Sequence, residues 1–166
     1  METFVGLRAG AAEHCHALFR VRTSFDDVYM AVIRSNYGNE ERAVVEVERE
    51  RFFALWRRDP QGSHAAYADG SMLTWRVDGR FDLATEGFSF GEYDPVPLAE
   101  VRCAGGETPW VALSDGVIRT VWLAAHGASC FPVECRVDEA PRLARHAGTG
   151  AHKWRRVAEL IPVAPA

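Results

Sequence analysis

The stretch "SDGVIRT", Ser114 to Thr120, brings together side chains that handle phosphate: a glycine, an arginine three residues on, two hydroxyls and a carboxylate. Gly116 permits close backbone approach. The first amides of a helix starting there are free donors, which is the anatomy of an anion site. Arg119, one turn in, adds a forked cationic donor for a phosphate or carboxylate, and Thr120 offers a further hydrogen bond. Mg²⁺ prefers carboxylates and water, and Asp115 is the nearest oxygen ligand, with Glu134 and Asp94 further away. The candidate catalytic set is Asp115, Glu134 and Arg119; the candidate binding set is Ser114, Gly116, Arg119 and Thr120; the candidate metal ligand is Asp115. The plain alternative is that Asp115 caps the helix and Arg119 pairs with it in solvent, as at many helix starts. What separates the two is whether Asp115, Arg119 and Glu134 converge on one open cleft.

The elements that must hold these residues are legible around them. "PWVAL" reads as a strand that gives way to the helix carrying Arg119. In that helix Ile118, Val121, Trp122 and Ala125 follow the i, i+3, i+4, i+7 pattern of a core face, and Gly127 ends it. "SCFPVEC" returns as a strand, so strand, helix and strand span the length of a compact crossover unit. Upstream, Pro95 and Pro97 exclude a helix and lead into a strand at Leu98–Cys103. Phe52, Leu55 and Trp56 lie on one face of a helix ended by Asp59-Pro60, and a short helix is expected around Arg80 to Glu86. "HALFRVRT" and "DDVYMAVIR" have strand composition. Turn residues at Asn36, Gly38 and Asn39 predict a hairpin over residues 28–47. "DEAPRLARHAG" reads as a short helix, and "HKWRRVAELI" as a terminal one with Trp154, Val157 and Ile161 along one side. No repeat or long linker divides residues 1–166, so an α/β (α+β) single domain is expected.

Composition narrows the functional classes. A 48% hydrophobic, 25% charged chain with five tryptophans suits a folded globular protein. The formal charge of -4, with Lys153 the sole lysine, excludes a generally basic nucleic-acid coat. No run reaches the roughly 18–20 apolar residues that span a bilayer, and the amino terminus has no secretory apolar core, so no membrane insertion and a cytoplasmic location are expected. Cys15, Cys103, Cys130 and Cys135 lack paired zinc spacing and suit reduced thiols.

Other constellations are weaker. In "HCH" a strand would turn only His14 and His16 to one side of Cys15, and no third metal ligand follows. His126 and His146 are lone residues suited to a helix end or the surface. "EVERE", Glu46 to Glu50, reads as a solvated helix face. Lys153, Arg155 and Arg156 form a small basic cluster on the terminal helix.

Gly116, Arg119, the apolar helix, Gly127 and Phe131-Pro132-Val133, with "DPVPLAEV" upstream, resemble the nucleotide-binding segment shared by ParB-type partition proteins and sulfiredoxins. A sulfiredoxin has its catalytic cysteine immediately after the glycine, where this chain has Val117. Partition proteins carry several arginines where this chain keeps Arg119, and no helix-turn-helix module follows. A closer resemblance, carried by "FDDVYMAVI", "DGVIRTVWLAAHGASCFPVEC" and "AELIP", is to the plasmid fertility inhibition factor family. That resemblance implies a domain of ParB/sulfiredoxin type, with a mixed sheet and flanking helices, in a protein that limits conjugative DNA transfer. For the oncogenic suppression member of the family it also implies ATP hydrolysis and DNA cleavage, hence ATP and Mg²⁺ as cofactors and DNA as a partner. The alternative is a non-catalytic inhibitor that touches a conjugative coupling or type IV secretion component.

Overall fold

The computed structural model describes residues 1–9, 15–33, 41–62 and 64–162. Two mixed sheets share one apolar core. The first has the order β1-β2-β3-β5 and the second β7-β6-β8-β4-β9. In the first sheet β1 (Phe4–Ala9), β2 (Cys15–Arg22) and β3 (Asp27–Ile33) are antiparallel, and β5 (Val96–Pro97) joins β3 in parallel. In the second sheet β4 (Arg42–Glu48) lies between β8 (Cys130–Arg136) and β9 (Trp154–Arg156). There β6 (Ala99–Ala104) runs parallel to β8 and antiparallel to β7 (Trp110–Asp115). The two sheets touch through β2 and β8. The chain passes from one sheet to the other within a single extended segment, with Leu98 between β5 and β6. Pro95 and Pro97 suit that segment because their fixed φ keeps it extended.

Helices close the layers. α1 (Arg49–Trp56) buries Phe52, Phe53, Leu55 and Trp56 against β4 and β7. A 3-10 turn (Ala65–Asp69) and the short α2 (Met72–Trp75) lie between α1 and the next helix. α3 (Arg80–Ser89) packs on α4 (Val117–Ala125), α5 (Ala140–Ala147) lies on β4, and α6 (Val157–Leu160) ends the described chain. α4 is buried nearly all round: Val117, Thr120, Val121, Trp122 and Leu123 are buried, while Ile118 and Ala125 are half-buried, so the expected core face is turned by about one residue. The expected stop at Gly127 is a left-handed residue, φ 81°, with Gly127 N–H on the Ala124 carbonyl and Ala128 N–H on that of Leu123.

Four expectations are corrected. Residues 28–47 do not form a hairpin: β3 has its edges taken by β2 and β5, and β4 by β8 and β9, so the two never pair. The hairpin is β2–β3, closed by the Thr23–Asp26 turn; Asn36, Gly38 and Asn39 lie outside the described residues. β7, α4 and β8 are not a crossover unit either, because β6 sits between the two strands, antiparallel to β7 and parallel to β8, so β7 and β8 run in opposite directions. Trp154–Arg156 is a strand rather than helix, since it pairs with the remaining edge of β4. Lastly, Glu46 is no solvated helix residue. It lies in β4 at 1% exposure, its carboxylate accepting from the Thr3 amide (2.8 Å), the Thr3 hydroxyl (2.7 Å) and the Thr149 hydroxyl (2.7 Å). Burial pushes its pKa up, but these donors outweigh it and leave the carboxyl below its usual range. Glu46 thereby fastens the segment leading into the first strand and the segment after α5 to β4.

Candidate functional site

The junction of β7 and α4 is built on Gly116. Its φ of 88° is left-handed, and a Cβ there would lie 2.6 Å from the Ala99 Cβ and 2.7 Å from its Cα. Only glycine lets the turn seat against β6. A bulge at Ser114, between the pairs Glu100–Asp115 and Val101–Leu113, re-aims the end of β7. The helix cap is Gly116 rather than Asp115, with no side-chain cap bond.

Asp115 instead accepts from Arg119 Nη2 at 2.7 Å, and the same nitrogen donates to the Leu98 carbonyl at 3.3 Å. Hydrogen bonding from Arg119 holds the Asp115 carboxyl below its usual range; partial burial opposes this, and the Arg119 charge and the Gly116 amide reinforce it. Arg119 Nε is buried with no hydrogen-bond partner among the described residues. Thr120 is buried, and its hydroxyl donates to the Gly116 carbonyl at 2.9 Å, back into its own helix. Ser114 Oγ donates to the Glu100 carbonyl at 3.1 Å.

Register brings Asp115 and Glu134 to one level of the sheet, on either side of Glu100. These three line a cleft of about 450 Å³ with Ile33, Arg42 and Pro97. Glu134 is buried and ion-paired to Arg42. Arg119 faces elsewhere. With Asp115, Ser114, His64, Arg80 and Leu83 it lines a second cleft of about 380 Å³. With Asp94, Leu83, Phe90 and Ile118 it lines a third of about 330 Å³. Asp115 is thus the residue common to the first two clefts, and none of these takes Asp115, Arg119 and Glu134 together.

Glu100, Arg42 and Arg80 were not singled out from the sequence. Glu100 has a legible signal, two residues into the strand that the proline-marked entry predicts. Arg42 and Arg80 have none, since their places depend on cross-strand and inter-helix geometry. Arg80 is pinned by Asp78 (2.7 Å) and by the Tyr67 hydroxyl (2.9 Å), beside Arg119.

The remaining candidates are scattered. His14 lies outside the described residues, and no group of three or more His, Cys, Asp or Glu side chains suited to a metal exists among those described. Lys153 contacts Glu2 at 3.4 Å, while Arg155 and Arg156 lie in β9. No helix among the described residues is long and apolar enough to cross a membrane.

The family model for plasmid fertility inhibition factors matches residues 44–148, from β4 through α5. No curated protein matches the chain. Among solved structures the fold is similar to that of the oncogenic suppression activity protein, a plasmid fertility inhibition factor solved as a gold(I) cyanide derivative. The TM-score is 0.70 at 26% identity, over 87% of this chain and 75% of that one. The matched segment holds the Gly116 turn, both carboxylates and the strands that align them, and on this ground the chain belongs to the plasmid fertility inhibition factor family.

Proposed function

We propose that this protein limits conjugative DNA transfer by contact with a component of the DNA-transfer or type IV secretion machine, and not by turning over a nucleotide. Family membership supports the general role. The observation that carries the mode of action is the closure of the Gly116 turn: Arg119 is neutralised by Asp115 at 2.7 Å, and the Thr120 hydroxyl is spent on the Gly116 carbonyl. An anion arriving there must first displace a carboxylate from its guanidinium.

The second reading is ATP binding and hydrolysis, or DNA cleavage, with Mg²⁺ held by Asp115. It draws support from the alignment of Asp115, Glu100 and Glu134 across three strands. The residues present do not make a ready site for it, because Glu134 is engaged by Arg42, Asp115 by Arg119, and the cation that would meet phosphate faces a different cleft.

Transfer frequency from donor cells, measured beside ATP turnover by purified protein, separates the readings. Contact inhibition predicts that a folded Arg119→Gln variant keeps its effect on transfer and that both proteins turn over ATP only at background. Joint loss of inhibition and of a measurable ATPase in Arg119→Gln would overturn it.

A further inference from the structure

The Thr23–Asp26 turn holds Phe25 out at 77% exposure, beside the carboxyl end of α4. This turn is rigid. The Thr23 hydroxyl donates to the Asp26 carbonyl at 2.6 Å and accepts from the Phe25 and Asp26 amides, while the Ser24 amide donates to the His126 carbonyl at 2.8 Å. Gly127 has no room for a side chain against Ser24, so the turn seats directly on the helix end.

Behind Phe25 runs an aromatic array: His126 meets its ring edge-on at 6.1 Å, Trp122 stacks under His126 at 3.7 Å, and Phe88 stacks on Trp122 at 4.2 Å. Phe25, Phe88, Trp122 and His126 line a cavity of about 530 Å³ that also takes Asp26 and Arg76. His126 Nδ1 lies 2.8 Å from the Trp122 carbonyl. A carbonyl only accepts, so in the neutral ring Nδ1 carries the proton and Nε2 is an acceptor. The Asp26 carboxylate has no hydrogen bond or ion pair among the described residues, and its neighbour Asp27 is only loosely met by Arg20 at 3.6 Å.

The geometry points to a receptor for a cationic side chain, an arginine or lysine on a basic segment of a partner protein. An aromatic face attracts a cation, with Arg favoured over Lys; the exposed face here is that of Phe25, since Trp122 and Phe88 are buried in their stack and His126 also stacks on Phe81. The unpaired Asp26 supplies the counter-charge, and the Nε2 acceptor suits a guanidinium donor. Phosphate is disfavoured by the two aspartates at the rim. Arg76 is the opposing charge on the lining, so the inference fixes the sign of its effect. It rests on the contact reading for its use in the cell, but its chemistry is tested apart.

Nuclear magnetic resonance titration of the purified protein with N-acetyl-arginine amide, against N-acetyl-norleucine amide as neutral control, reads the His126 ring and the Trp122 indole N–H. The arginine probe should give saturable shifts and the norleucine probe none. Phe25→Ala and Asp26→Asn, both changes at exposed side chains, should each weaken binding by about tenfold, and Arg76→Ala should strengthen it. Absence of saturable shifts, equal binding by Asp26→Asn, or loss of binding in Arg76→Ala would overturn the assignment. The titration contains no transfer machine, so its failure removes this pocket and leaves contact inhibition standing. The transfer assay can fail in turn without touching the titration.

Discussion

Gly116 and Arg119 show how residues recognisable as phosphate chemistry also hold a fold together. Arg119 ties the end of β7, through Asp115, to the Leu98 carbonyl at the point where the chain changes sheets. Gly116 is required by both its φ of 88° and the contact with Ala99. Gly116→Ala should therefore lower stability by about 1–3 kcal/mol, from the left-handed φ and the clash together, read as a shift in the urea midpoint. The Asp115–Arg119 pair is largely exposed on the Asp115 side, so its net worth is below about 1 kcal/mol. Its pH dependence has a fixed sign. The folded-state pKa of Asp115 is lowered, so the stabilisation is present above the ordinary carboxylate value and is lost as pH falls through the lowered one. The stability gap between wild type and Asp115→Asn should be present at pH 7 and narrow as pH falls below the ordinary carboxylate range; a gap that does not narrow in acid would deny the pair this role.

At the scale of elements, β6 carries more than its ladder. It pairs with β8 only at Ala99 and Glu100. Beyond that point α5 stands in for a strand: the Cys103 amide donates to the Glu139 carboxylate at 2.8 Å, and the Cys103 carbonyl accepts from Arg142 at 3.4 Å. Two side chains thus satisfy backbone groups that β8 leaves unmet. Glu139→Ala should cost about 1–3 kcal/mol by stranding a buried amide. Glu139→Gln, whose carbonyl oxygen still accepts, should recover most of the loss in the same denaturation measurement. The short elements were those least legible in the sequence. β1, α2 and β9 are three to six residues long or bent by glycine, and each exists because a neighbour offers an edge or a face.

Across the whole molecule, two sheets are joined through β5–β6 and fastened by Glu46, and the buried thiols report on whether the second sheet opens as one unit. Cys15 is exposed, whereas Cys103 and Cys135 are buried in the shared core. Burial lifts the Cys103 thiol to about 11 and pushes that of Cys135 higher still. Iodoacetamide at pH 8, followed by mass spectrometry, should label Cys15 quickly. Cys103 and Cys135 should react together and only at the rate of global opening. Labelling of one long before the other would show that the second sheet, which carries both thiols, opens in parts.

What the amino-acid sequence determined by itself was local. The glycine turn, the arginine one turn later, the stop at Gly127, the proline-marked strand entry, the buried face of α1 and the presence of α3 and α4 are all written in residue type and short spacing, where steric limits on φ and hydrophobic periodicity act directly. The family resemblance rested on the same features. Only the tertiary structure decided which strands pair, because an edge is claimed by whichever neighbour satisfies its backbone, and that choice ranges over the whole chain. For the same reason it alone placed Glu134 beside Glu100 rather than beside Arg119, buried Glu46 in an interior strand, and set Phe25 against His126, about a hundred residues away, where no spacing rule reaches.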